Sequence, residues 1–190
     1  MINIIGGTKK RTNIQVTTNL VRPTSSHKRE SIFSIIKSYE SKINKNIYQD
    51  KYILDLFSGT GALGLEAISR GALFAYFYEN NIEVLDNLKK NCLQVCETKN
   101  FKIINEDILK SDFSNIENKI SLVFIDPPYN INPFEKVLIN INKSKKLFKN
   151  ALIVVECEKK IRIKIPSSFF CINERTYGKT IIYFLINKDK

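Results

Sequence analysis

The run Asp55-Leu56-Phe57-Ser58-Gly59-Thr60-Gly61-Ala62-Leu63-Gly64 concentrates chemistry that a backbone can do. Its glycines let the chain turn tightly and bring main-chain amides against a ligand with no Cβ in the way. Gly59 to Gly64 formally satisfies G-x-G-x-x-G, so a dinucleotide site has to be considered. Two acids refine that reading. Glu79 stands where a carboxylate can accept hydrogen bonds from ribose hydroxyls, and Asp107 where it can border an adenine. An adenosyl ligand across the carboxyl ends of three strands fits the set. The competing reading is a tight turn with two solvated loop acids.

A second constellation is Asp126-Pro127-Pro128-Tyr129, directly after the apolar run Leu122 to Ile125. Two prolines fix φ and remove two N–H donors, so a strand must stop there with its carbonyls turned into a cleft. An acid, a free carbonyl and an aromatic face held together suit a planar base that bears an exocyclic amine. Carboxylate and carbonyl take the amine hydrogens while the ring stacks on the base. The plainer alternative is a rigid turn whose tyrosine merely packs.

These groups need a frame, and the hydrophobic pattern supplies one. From Lys51 onward, short apolar runs alternate with helical stretches, as in βα units around a parallel sheet. Strands are expected at Tyr52 to Phe57, Leu73 to Tyr78, Phe101 to Ile104, Leu122 to Ile125 and Ala151 to Val155. Helices are expected from about Ala62 to Arg70, along the seam Ile82, Leu85, Leu88, Cys92 and Val95, and along Phe134, Val137, Leu138 and Ile141. Phe169 to Arg175 and Thr180 to Ile186, joined through Tyr177-Gly178-Lys179, predict a closing antiparallel hairpin. The first residues differ. Ile2 to Ile5 and Gln15 to Thr17 predict a small hairpin around Gly6-Gly7 and the basic run Lys9-Lys10-Arg11. Lys28 to Tyr39 predicts a helix with Ile32, Phe33, Ile35 and Ile36 on its apolar side.

The chain of 190 residues carries 30 Lys and Arg against 19 acids, a formal net charge of +11. Such a surplus favours a polyanionic partner, nucleic acid ahead of membrane, although a lysine-rich solvated surface accounts for part of it. Six of the cations, Lys9, Lys10, Arg11, Arg22, Lys28 and Arg29, stand in the first thirty residues against Glu30 alone. No stretch approaches the ~18–20 apolar residues of a membrane span, and the start lacks a secretory pattern. Cys92, Cys96, Cys157 and Cys171 lack zinc-ligand spacing, and His27 is the one histidine. Buried free thiols in a reducing compartment are expected, with no metal site and no histidine-based triad.

The order Asp55-x-Phe57-x-Gly59-x-Gly61, Glu79, Asp107 and Asp126-Pro-Pro-Tyr129 resembles the S-adenosylmethionine-dependent methyltransferases that modify exocyclic amines of bases. Within them, nearly the whole chain is similar to the RsmD family, bacterial small-subunit rRNA guanine-N2 methyltransferases. Ile4-Ile5-Gly6-Gly7, Arg22-Pro23-Thr24, Arg29-Glu30-Ser31-Ile32-Phe33 and Leu54 to Ala67 carry that likeness. It departs in a surface rich in lysine rather than arginine.

The resemblance implies a Rossmann-like, seven-stranded class I methyltransferase α/β sheet, mostly parallel with a C-terminal antiparallel hairpin and helices on both faces. A small N-terminal hairpin-and-helix extension over residues 1–45 would help to hold RNA, and residues 46–190 would form the methyltransferase domain. Asp55, Ser58, Gly59, Gly61, Glu79 and Asn80 would hold the methionyl and ribose parts of S-adenosyl-L-methionine, with Asp107 and Ile108 at the adenine. Asp126, Pro127, Pro128 and Tyr129 would hold a flipped guanine, and Lys9, Lys10, Arg11, Arg22, Lys28 and Arg29 the RNA. A cytoplasmic monomer acting on 16S rRNA, in an assembling or assembled small subunit, completes the expectation. Asp-Pro-Pro-Tyr by itself does not choose among guanine, adenine and cytosine. A nucleotide-dependent oxidoreductase and a non-catalytic RNA binder on the same fold stand as rivals from other classes.

Overall fold

Tyr52-Ile-Leu-Asp-Leu56 is apolar on both sides apart from Asp55, as a strand covered on both faces must be. In the computed structural model it is the strand β3 (Tyr52–Leu56), one of the two inner strands flanking the switch in strand order. The structure describes residues 2–16, 25–129 and 131–188. Before β3 come β1 (Ile2–Asn3), β2 (Asn13–Ile14) and α1 (Ser26–Ile43). After it follow α2 (Ala62–Ser69), β4 (Phe74–Tyr78), α3 (Ile82–Val95), β5 (Phe101–Ile104), β6 (Ile120–Ile125) and α4 (Phe134–Lys143). The chain then runs through β7 (Leu147–Glu158), β8 (Phe169–Tyr177) and β9 (Thr180–Asn187).

Seven strands form one sheet in the order β5-β4-β3-β6-β7-β9-β8. The pairs β4·β5, β3·β4, β3·β6 and β6·β7 are parallel, and β9 runs antiparallel to both β7 and β8. The strand order reverses between β3 and β6, the switch point at which open α/β sheets leave a crevice at their carboxyl edge. Period-two alternation divides the apolar residues between the faces. Ile53, Phe77, Phe124 and Val154 pack with Ile32, Phe33 and Ile36 of α1 and with residues of α2 and α3. Leu54, Tyr76, Val123 and Ile153 pack with Phe134, Val137, Leu138 and Ile141 of α4 and with Phe113 and Ile116.

The N-terminal hairpin is shorter than its sequence suggests, and its second strand is Asn13–Ile14, not Gln15 to Thr17, of which Thr17 lies outside the described residues. Only Ile2↔Ile14 and Asn3↔Asn13 pair. Strand pairing stops because the amides of Ile5 and Gly6 donate instead to the buried carboxylate of Glu66 on α2, each at 2.8 Å. Ile4 and Ile14 are buried in the same core as α1 and the sheet. Helix α1 starts earlier and ends later than its apolar stripe: Ser25 caps it by accepting from Lys28 N, and Asn44 closes it in the left-handed region at φ 50°.

Candidate functional site

The turn after β3 is built on left-handed backbone at Phe57 (φ 60°), Gly59 (φ 53°) and Gly61 (φ 78°), the last being the N-cap of α2. A bulky aromatic in that region is strained, and such strain persists only where the surroundings over-determine it. Here they do. Ser58 directs its hydroxyl to the carbonyls of Asp55 and Tyr78, at 2.7 and 3.1 Å, and its amide to Tyr78 O at 3.0 Å. Asn91 of α3 is wholly buried and donates to Thr60 O at 3.0 Å. Gly64 cannot be anything larger, because a Cβ there would lie 2.3 Å from the Phe77 ring.

Asp55 is buried beneath this loop and accepts the Gly64 amide at 2.9 Å, which ties β3 to the first turn of α2. Burial pushes its carboxyl well above the ordinary carboxylate range; the Gly64 amide opposes this, and the charges of Asp126 and Glu79 add to it. Three acids thus surround the loop. Glu79, half-buried at the end of β4, accepts from Gly59 N and Asn81 N, both at 2.9 Å. Asn81 in turn caps α3 through Glu83 N, and Asn80 between them is exposed. Asp107 lies beyond the end of β5 and accepts from Leu109 N at 2.9 Å, with Ile108 buried beside it. Asp126 leaves the end of β6 half-buried; Pro128 O accepts from Ile131 N at 3.3 Å, and Tyr129 is half-buried.

The structure therefore gathers Asp55, Ser58, Gly59, Gly61, Glu79, Asn80, Asp107, Ile108 and Asp126 to Tyr129 at the carboxyl edge of four adjacent strands. Asp55 accepts from Gly64 N and Ser58 donates to the carbonyls of Asp55 and Tyr78, so both hold the shape of the loop. Among the described residues, no group of three His, Cys, Asp or Glu has the arrangement of a metal site. Among the described residues, no helix is long and apolar enough to cross a membrane.

The basic residues separate. Lys9, Lys10 and Arg11 are exposed on the hairpin turn. That turn is fixed at the far end of α2, where Thr8 N and Lys9 N reach Ser69 O and Oγ at 2.7 and 2.9 Å. An eight-residue helix puts it about 12 Å from the glycine loop. Arg22 lies outside the described residues. One of the expected RNA contacts is corrected by its surroundings. Arg29 is wholly buried, donating to Asn3 O at 2.7 Å and facing the charge of Glu66, so it holds the hairpin to α1 and cannot reach a phosphate. Lys28 turns inward to an ion pair with Glu156 of β7.

Sequence reasoning missed Glu66, Asn91 and Glu156. Glu66 and Asn91 read as polar members of helices. Glu156 carries one usable signal: like Asp126, it is an acid at the end of an apolar strand run.

The family model described as "Conserved hypothetical protein 95" matches residues 2–186. The ribosomal RNA small subunit methyltransferase D of Haemophilus influenzae is 33% identical over 83% of this chain and 79% of its own. The protein of that name from Escherichia coli is 29% identical over 99% of this chain and 90% of its own. The chain belongs to the RsmD family. Among solved structures, the Escherichia coli protein yhhF, a methyltransferase by assignment, superposes with TM-score 0.81 at 25% identity, covering 100% of this chain and 99% of its own. The RsmD-family match takes in both the seven-stranded sheet and the N-terminal hairpin with α1, so the glycine loop and Asp126 to Tyr129 are parts of one family architecture, that of class I methyltransferases.

Proposed function

We propose that this RsmD-family protein methylates the exocyclic N2 amine of a guanine in 16S rRNA. The observation that carries the reading is the placement of Asp126-Pro-Pro-Tyr129 across the switch point from the glycine loop, with Glu79 and Asp107 closing the far side. S-adenosylmethionine is the cofactor, and it supplies an activated methyl on a sulfonium. The site suits it chemically: Gly59 and Gly61 leave the turn without side chains beside the ligand position, Glu79 offers acceptor lone pairs beyond the two amides it receives, and Asp107 with Ile108 offers an acid and an apolar surface to an adenine.

Guanine N2 is a poor nucleophile because its lone pair is delocalised into the ring. Asp126 and the Pro127 carbonyl accept the two amine hydrogens, which favours a more pyramidal nitrogen with its lone pair turned toward the donor. Tyr129 stacks on the base and fixes its plane. The protein's work is positioning and exclusion of water, with no covalent enzyme intermediate. Asp126 need not be a strong base, since the proton leaves after the nitrogen has become cationic. Lys9, Lys10 and Arg11 hold backbone phosphates at a distance from the reacting base, as part of a 1–45 extension that steadies RNA. The reading takes the enzyme as a cytoplasmic monomer acting on an assembling or assembled small subunit.

The test is nucleoside mapping of 16S rRNA from cells with and without the protein. Loss of one N2-methylguanosine, restored by the wild-type chain and not by Asp126→Ala, is the expected result. Loss of a methyladenosine or methylcytidine instead would overturn the choice of base.

A further inference from the structure

Ile125 of β6 and Val155 of β7 are register partners in a parallel pair. Asp126, the first residue beyond β6, and Glu156, still within β7, therefore lie at the same level on neighbouring segments, about 4.8 Å apart along the hydrogen-bonding direction. They share a face. Phe124 and Val154, two residues earlier on each strand, both belong to the core under α1, and Lys28 of α1 reaches Glu156 from that side. Glu156 is only 4% exposed. Lys28 takes its Oε1, but its Oε2 is buried with no hydrogen-bond partner among the described residues. A buried carboxylate oxygen left without a donor is costly in a folded protein, and it is a common mark of a group whose partner is a ligand.

The order of these groups along the edge of the sheet has chemical content. Asp126 is an acceptor, Glu156 Oε2 is an acceptor on the neighbouring strand, and the Lys28 ammonium, bonded to Glu156 Oε1 from α1, is a donor beside that acid. The Watson–Crick edge of guanine presents the complementary order: the N2 amine donates, N1–H donates, and O6 accepts. Adenine has an acceptor at N1, and cytosine an acceptor at N3, so either would set a lone pair against the Glu156 carboxylate.

We infer that Glu156 and Lys28 read guanine, Glu156 accepting from N1–H and Lys28 donating to O6, while Asp126 holds the amine that is methylated. The inference rests on the guanine-N2 reading above and extends it from where the methyl goes to how the base is chosen. Lys28 is then a base contact, not a phosphate contact. Its pair with Glu156 aims the acid before substrate arrives.

The experiment compares guanine with 2-aminopurine, which keeps the 2-amine but lacks both N1–H and O6. Small subunits are reassembled around ligated 16S rRNA that carries one or the other at the mapped target, and initial methylation rates are measured. Wild type should prefer guanine by about a hundredfold or more, as sites built to hydrogen-bond a substrate group reject analogues lacking it. In Glu156→Gln the side-chain amide can face the 2-aminopurine N1, so the preference should fall at least tenfold while S-adenosylmethionine binding and the melting temperature stay near wild type. Lys28→Gln, a second variant that leaves the acid in place, should also lower the preference by removing the O6 donor. If both variants slow the two substrates by the same factor, the pair is only structural and the inference is overturned. If wild type puts no methyl on guanine N2, the parent reading fails instead, and product analysis separates the two outcomes.

Discussion

Glu79 accepts the amide of Gly59 at 2.9 Å, so the acid that ends β4 and the loop that follows β3 form one unit. A carboxylate proposed to receive ribose hydroxyls is also the brace of the loop beside it. Glu79→Ala should weaken S-adenosylmethionine binding by ~1–3 kcal/mol, the scale for hydrogen bonds to a charged group. Glu79→Gln, which keeps one acceptor oxygen, should lose less. Calorimetry on the folded variants checks both, and an Ala variant with wild-type affinity would remove Glu79 from the site.

Asp126→Ala should lower the methylation rate by about a hundredfold or more, the scale for deleting one positioned polar group from an active site. Cofactor affinity should change little, because Asp126 addresses the base. Tyr129→Phe should keep much of the activity that Tyr129→Ala loses. Single-turnover rates decide between stacking and the hydroxyl: a Phe variant as slow as the Ala variant points to the hydroxyl.

Stability should fall with rising pH through Asp55. Burial holds its carboxyl well above the ordinary value of 3.8, so over that window the folded chain keeps a proton that the unfolded chain has released. The contribution is full below the unfolded pKa and is lost as pH rises through the folded one. Asp55→Asn can still accept from Gly64 N and has no proton to lose. Urea unfolding from pH 4 upward should show a declining stability for wild type and a flatter one for the variant. Parallel curves would mean that Asp55 is ionised in the folded protein.

Neutralising Lys9, Lys10 and Arg11 together should weaken RNA binding across unrelated sequences. The salt dependence should flatten by roughly one unit of log–log slope per lost phosphate contact. S-adenosylmethionine affinity should hold, since the turn is anchored at the opposite end of α2 from the glycine loop. Equal slopes for wild type and triple variant would place these side chains in water, not on phosphate.

The strands from β3 onward were legible because each is an apolar run between turn residues, and the glycine loop was legible because it is local. Strand β7 runs from Leu147, earlier than its apolar core at Ala151, through Phe148, Lys149 and Asn150, which are exposed, with Asn150 at φ 61°. No periodicity announces such a stretch. Arg29 and Lys28 read as surface cations in a basic segment, yet Arg29 is covered by Asn3 and Glu66 and Lys28 meets Glu156, 128 residues away. Charge is visible in a sequence, but its partner depends on which strands lie side by side. The same holds for Glu156, whose meaning comes only from the register that sets it beside Asp126.

The last strand in the chain is not at the edge of the sheet. β9 lies between β7 and β8, and β8 pairs with β9 alone. A nascent chain halted before Thr180 would leave β8 without a seat and β7 with an open flank, inviting another molecule's strand to dock there. Tyr177, whose hydroxyl bonds Ser31 on α1, would lose its place too, and with it a contact beside the ion pair of Lys28. Synthesis of the final hairpin is thus the step that covers the flank of β7 and sets Ile182 beside Glu156.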